Sequence, residues 1–123
     1  MKQLIAGFSL LAAIAAFCVI NAIVCTSITR ATQEQLDSAQ RAISWEERAQ
    51  ILQQTCESWA ERSDWLDCVM HHDDVDEVHI MLARLRQSSL DQDILAFNLY
   101  LSNLRILIDH ISHSSRLSLN ELF

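Results

Sequence analysis

The sequence predicts an all-α protein: an N-terminal transmembrane helix that continues into a stalk, followed by a small antiparallel helical bundle. Three observations carry that prediction. Residues Leu4 to Cys25, LIAGFSLLAAIAAFCVINAIVC, form a run of 22 without a charged side chain. After that run there is no proline and no glycine, since the one glycine is Gly7; a chain without either lacks the usual material of tight hairpins, which disfavours β architecture. From Ser44 onward, apolar residues recur at alternating spacings of three and four, the period of a packed helix face. These features divide the chain into a tail (1–3), a membrane anchor (4–25), a helical stalk (26–43) and a helical bundle domain (44–123).

At ~1.5 Å per helical residue the apolar run covers ~33 Å, close to the ~30 Å hydrocarbon core of a bilayer. Only Ser9 and Asn21 are clearly polar within it. The apolar stretch of a cleaved secretory signal is shorter and ends at small residues. Cleavage after Ala16 would leave FCVINAIVC at the mature end, unfavourable in water, and cleavage near Ser27 or Ala31 follows no clean small-x-small pattern. Lipidation of Cys25 would call for a small residue before it, where Val24 stands. An uncleaved signal-anchor is therefore the preferred reading, with a cleaved leader and a lipoprotein as alternatives. Lys2 on one side and Arg30 and Arg41 on the other barely discriminate orientation. A very short leading tail is the ordinary form of a signal-anchor, which implies a single-pass protein of the cell membrane with its C-terminal domain extracytoplasmic.

Each later element has its own signals. Residues 26–43 contain no breaker, and Ile28, Leu36, Ala39, Ala42 and Ile43 give only a weak apolar stripe, hence a stalk. Ser44-Trp45-Glu46-Glu47 has the form of a capping box that opens a new helix. In that helix Ala49, Leu52, Cys56, Trp59, Ser63, Leu66 and Met70 make a continuous seam. Asp73 and Asp74 offer an N-cap for a third helix, which carries Val75, Val78, Leu82 and Leu85 on one side. Ser88, Ser89 and Asp91 mark the next break. The fourth helix has a core seam of Ile94, Phe97, Leu101, Leu104, Ile108 and Ile111, and apolar flanks that include Leu95, Leu99, Tyr100, Ile106 and Leu107. So wide an apolar face implies cover on two or three sides, or an oligomer interface. The tail, Leu117 to Phe123, is too apolar for a free end and is expected to pack back onto the domain.

Beyond the anchor there are eight arginines against sixteen acids, a net charge of −8. Such a domain is repelled by nucleic acid and by anionic lipid headgroups, so nucleic-acid binding is disfavoured. Cys18 and Cys25 lie on one face of the anchor and read as apolar packing. Cys56 and Cys68, ~18 Å apart on a straight helix, cannot bridge each other; an intermolecular disulfide and free thiols both remain open.

The densest polar segment runs from Cys68 to His79. His72, Asp76 and His79 share a helical face, Cys68 precedes His72 by four, and His110 and His113 on the fourth helix would complete a nitrogen, oxygen and sulfur ligand set suited to zinc if the helices adjoin. Against this, helix starts rich in Asp and His serve capping and solvation, no H-E-x-x-H or paired C-x-x-C is complete, and Asp73 and Asp74 as a helix break would take His72 off the face of Asp76. No glycine-rich phosphate loop and no G-x-S-x-G elbow are present, so no catalytic residue, metal site or cofactor is assigned and no enzyme activity is expected.

From about Trp45 to Phe123 the chain resembles an uncharacterised family, a domain of unknown function, of small bacterial single-span membrane proteins. The resemblance rests on Trp45-Glu-x-x-Ala49, Trp59, His72 with Asp76-Glu77-Val78, Leu82-Ala-Arg-Leu85, His110-Ile111 and the closing Leu117-Ser-Leu-Asn-Glu-Leu-Phe123. It implies one N-terminal span followed by a helical domain, with no assigned activity and so no catalytic residues. The chain departs from the pattern at Cys56 and Cys68. The expected function is that of a membrane-anchored protein-interaction or accessory module for another membrane protein, with a protein partner or a homo-oligomer; the alternative is a divalent-metal-binding or sensing domain around His72 to His79.

Overall fold

A computed structural model describes residues 1–69 and 71–122, with side chains at all of these except Val69 and 115–122. Every element among them is helical: α1 (Lys2–Arg41), α2 (Trp45–Val69), α3 (His72–Leu90) and α4 (Ile94–Leu122). α1 packs against α2 and α4, and α3 closes the ring between α2 and α4. Short turns join the helices, and cross-helix bonds pair late residues of one with early residues of the next, as antiparallel neighbours require.

The 40-residue α1 is about 60 Å long, and its two halves live in different surroundings. Leu4, Ile5, Phe8, Leu10, Leu11, Ile14, Phe17 and Ile20 are exposed. From Ala22 the same helix enters the bundle. Ala22, Cys25, Ile28, Thr29, Thr32, Leu36 and Ala39 are buried, with Leu36 and Ala39 at 0% exposure. The stretch expected as a stalk is thus continuous with the apolar run and is at the same time the first helix of the bundle. Packing begins inside the apolar run, so about 20 residues, ~30 Å, project from the bundle. The buried threonines are satisfied locally: Thr29 donates to the Thr26 carbonyl at 3.0 Å and Thr32 to that of Ile28 at 2.9 Å.

The core is one cluster drawn from all four helices, centred on Trp59, Phe97, Leu36, Leu52, Leu66, Leu82, Leu85 and Leu104. The seams expected on α2, α3 and α4 are largely the buried ones. The exceptions are Ala49, Cys56 and Ser63 on α2, which are half-buried, and Ile94, half exposed at the start of α4. Met70, placed in the α2 seam by its spacing, lies outside the described residues, and so do the side chains of the tail from Leu117 to Phe123.

Three turns position everything else. Ser44 accepts the Glu47 N–H at 3.1 Å, the forward half of the expected capping box. Arg48 closes the same corner: it donates to the carbonyls of Ala39, Gln40 and Ala42 at the end of α1. Its guanidinium stacks 4.5 Å from the Trp45 ring and 4.6 Å from that of Phe97, which meet edge to face. The α3–α4 break falls later than Ser88 and Ser89. Those two are buried in the last turn of α3 and bond the Leu85 carbonyl, because a hydroxyl that returns to its own helix does not end it. Gln92 instead adopts φ 55°, its N–H bonds Ser89 and the Asp93 N–H bonds Ser88, a Schellman stop built without glycine. Asp93 then caps α4 by accepting the Ala96 N–H at 3.1 Å.

Candidate functional site

The α2–α3 turn brings together the ligand-type residues that the sequence flagged, though not all of them. α3 begins at His72, with His71 as an N-cap that makes no side-chain bond. Asp73 and Asp74 therefore sit inside the first turn, where the helix dipole favours acids, and do not separate His72 from Asp76. His72 and Asp76 share a face, and Nε2 lies 3.0 Å from the Asp76 carboxylate. On the other side Nδ1 lies 3.1 Å from the carboxylate of Asp67, the residue of α2 that spacing alone did not select. Among the described residues this trio is the one group of three His, Cys or carboxylate ligands within reach of a single ion. His79, on α3, and His110 and His113, on α4, are exposed and outside it, and so is Cys68.

What the trio does chemically follows from the imidazole. A neutral ring carries one N–H, so both contacts are hydrogen bonds only when the ring is the imidazolium. The hydrogen bond to Asp67, then the negative charge of Asp76 and that of Asp67, raise the His72 pKa above its ordinary 6.5. The arrangement holds a proton between two carboxylates. A divalent ion would have to displace that proton and turn the ring away from at least one partner.

The thiols are not a redox pair. Cys18, Cys56 and Cys68 are free thiols. Cys56 is half-buried against the core, and burial pushes its pKa up despite the nearby Arg86, which leaves it a poor nucleophile. Cys68 is the exposed one. Between the helices the concavities are open grooves, such as that of Ala31, Glu34, Ile51 and Arg62 between α1 and α2.

Among the described residues, two stretches of exposed apolar side chains stand out. One is the bare N-terminal half of α1. By length and composition α1 is one helix able to cross a membrane, a property that a signal sequence or a buried core helix can share. Asn21 marks its junction with the bundle, half-buried, its side-chain oxygen without a hydrogen-bond partner. The other is the outer side of α4, where Leu95, Leu99 and Ile106 are 80%, 59% and 66% exposed. α4 itself is held to α1 by Arg105, whose guanidinium donates to Asp37 at 2.5 Å, Gln40 at 3.0 Å and Gln33 at 3.1 Å.

Compared with known proteins, residues 19–122 match the family model described as a domain of unknown function, DUF4363. The matched stretch takes in α2, α3, α4 and the bundle half of α1, more of the chain than the resemblance from Trp45 onward. No curated protein matches the chain, and no solved structure does.

Proposed function

This chain belongs to the DUF4363 family, and we propose on that premise that it is a membrane-anchored protein-interaction module, an accessory to another membrane protein. The observation that carries the reading is the division of α1. Its first ~20 residues are largely apolar and mostly exposed, and full burial begins at Ala22. Some fifteen such side chains in water would be a large standing cost at ~25 cal/mol per Å² of apolar surface, and lipid removes it. Held this way, the bundle stands at the bilayer surface with α2 and α4 running back toward it. The C-terminal domain is extracytoplasmic in this proposal.

The test is alkaline carbonate extraction of membranes that contain the full chain. The reading expects the protein, with its intact N-terminus, in the pellet, and release only by detergent. Recovery in the aqueous fraction, or a mature form that lacks residues 4–25, would contradict it.

A second reading, divalent-cation binding, is favoured by the convergence of Asp67, His72 and Asp76. Zinc titration of the detergent-solubilised chain, followed by thermal melting, decides it. Stabilisation of the parent but not of His72→Ala supports the metal; equal response of both removes it.

A further inference from the structure

We infer that the groove between α1 and α4 at Thr26, Arg30, Asp109 and Ser112 seats a zwitterionic phosphoethanolamine headgroup, supplied by a lipid of the leaflet on which the bundle stands; the inference rests on the anchored reading above. Thr26, Thr29, Arg30 and Gln33 line it from α1, and Asp109 and Ser112 from α4, around a volume of about 160 Å³. At ~30 Å³ per water-sized group that is room for about five, enough for a phosphate with its oxygens.

The height of the groove follows from the sequence. The apolar run ends at Cys25, and Thr26 to Arg30 are the next five residues of the same helix. Ile23, still 63% exposed, keeps the run apolar to within one turn of Thr26. Five helical residues rise ~7.5 Å, the depth of one headgroup layer when a ~30 Å hydrocarbon core lies within a bilayer of ~45 Å. Cα–Cβ bonds tilt toward a helix N-terminus, which for α1 is the membrane end, so the Arg30 side chain leaves its helix toward the bilayer. Arg30 is also the first cation after the run.

Charge selects the headgroup. Arg30 and Asp109 line one groove with opposite charges, yet neither belongs to an ion pair among the described residues. Asp109 accepts a hydrogen bond from Gln33 at 3.4 Å, and Arg105, four residues before it, is committed to Asp37. A guanidinium takes a phosphate through parallel N–H donors, and a carboxylate accepts from a primary ammonium. Phosphoethanolamine carries both groups one short bridge apart and satisfies both charges at once. Inorganic phosphate would leave the Asp109 carboxylate facing a like charge. An anionic headgroup would also meet the α2–α3 turn, which returns to the same end of the bundle with Asp67, Asp73, Asp74 and Asp76. A choline headgroup has no N–H to give Asp109.

The experiment melts the full chain in dodecyl maltoside, a detergent without phosphate, with added short-chain phosphatidylethanolamine, phosphatidylcholine or phosphatidylglycerol. Phosphatidylethanolamine at about five times its Kd is expected to raise Tm by ~4–8 °C, and the other two lipids by much less. Arg30→Gln should weaken the response at least tenfold in lipid concentration. Asp109→Asn should erase the preference for ethanolamine over choline. Arg62→Gln, in the groove between α1 and α2, should respond as the parent does. Arg30, Arg62 and Asp109 are exposed, so melts without lipid should not move. No shift, an equal shift from all three lipids, or an Arg30→Gln variant that responds like the parent overturns the site. Inorganic phosphate or free phosphoethanolamine that matches the lipid at equal concentration reveals a site for a soluble ligand and overturns the lipid. Anchored protein without a lipid response loses the headgroup site alone. Protein that a carbonate wash strips from membranes overturns the anchored reading, and the site with it.

Discussion

Leu36→Ala separates a free stalk from a bundle helix. Leu36 is 0% exposed, in the middle of the bundle half of α1, and belongs to the same core cluster as Leu52, Trp59 and Leu104. Truncation to alanine forfeits the transfer free energy of the removed carbons and leaves a cavity between α1 and the two helices that pack against it, α2 and α4. Buried Leu→Ala changes cost about 2–5 kcal/mol, and a site enclosed on all sides falls near the middle, about 3 kcal/mol. For a bundle of this size that corresponds to a fall in Tm of ~12–24 °C. If residues 26–43 stood alone, the same substitution would sit on a solvated helix surface and cost less than ~0.5 kcal/mol. The assay is thermal or urea unfolding of the full chain in detergent, followed by the fluorescence of Trp45, Trp59 and Trp65, with Ser38→Ala on the exposed side of α1 as the control. A loss below ~0.5 kcal/mol for Leu36→Ala would refute the packing of α1 in the bundle.

Other substitutions test individual devices. Gln92→Gly relieves a left-handed conformation that costs a non-glycine residue about 1–2 kcal/mol, so stability should rise by about 1 kcal/mol; a loss would show that the Schellman turn is not as described. The His72 pKa is raised, so its contribution to stability is complete below its ordinary 6.5 and disappears as pH climbs through the raised value. Parent and His72→Gln should therefore differ in Tm at pH 5.5 and converge at pH 9, and Asp67→Asn should return the imidazole titration, read by NMR, toward its ordinary 6.5. A difference that grows with pH would reverse the assignment. Arg86 has its Nε buried without a partner and its guanidinium bonded to Gln53, so Arg86→Met should be neutral or stabilising by up to about 1 kcal/mol; a loss above about 2 kcal/mol would mean that the cation is better satisfied than its contacts indicate. Ser44→Ala removes the N-cap of α2 and should cost about 1 kcal/mol in the same melts.

The seams of α2, α3 and α4 were legible because their core positions are filled by large apolar residues at helical spacing. α1 was harder. Its buried row, Ala22, Cys25, Thr29, Thr32, Leu36 and Ala39, keeps the alternation of three and four, but two threonines stand in it. A hydroxyl that bonds its own helix carbonyl is compatible with burial, and hydropathy alone scores it as polar. Counting threonine as a core residue would have extended the seam back to Ala22. The apolar run likewise gave no sign of where lipid-facing helix gives way to packed helix, because both environments select the same residue types. At the α2–α3 turn, helical spacing identified His72 with Asp76 but missed Asp67. That residue arrives from the preceding helix across a turn whose geometry no local period encodes. His79 and His110 fell away for the converse reason: a shared period says which residues lie on one helix face, not which face a neighbouring helix covers. The Gln92 stop was equally hidden, since a left-handed residue is ordinarily signalled by glycine or asparagine.

The central claim is that one continuous helix is lipid-embedded in its first half and a bundle element in its second. A nitroxide scan along α1, one label at a time from Ile5 to Arg41 in reconstituted bilayers, tests it most directly. Oxygen accessibility should show no periodicity from Ile5 to about Ile20. From Ala22 onward a three-to-four-residue alternation should appear, in which labels at 28, 32 and 36 reach neither oxygen nor aqueous relaxant and labels at 30, 34 and 38 reach the aqueous one. Aqueous accessibility over the first twenty residues, or the absence of that alternation beyond Ala22, would contradict it.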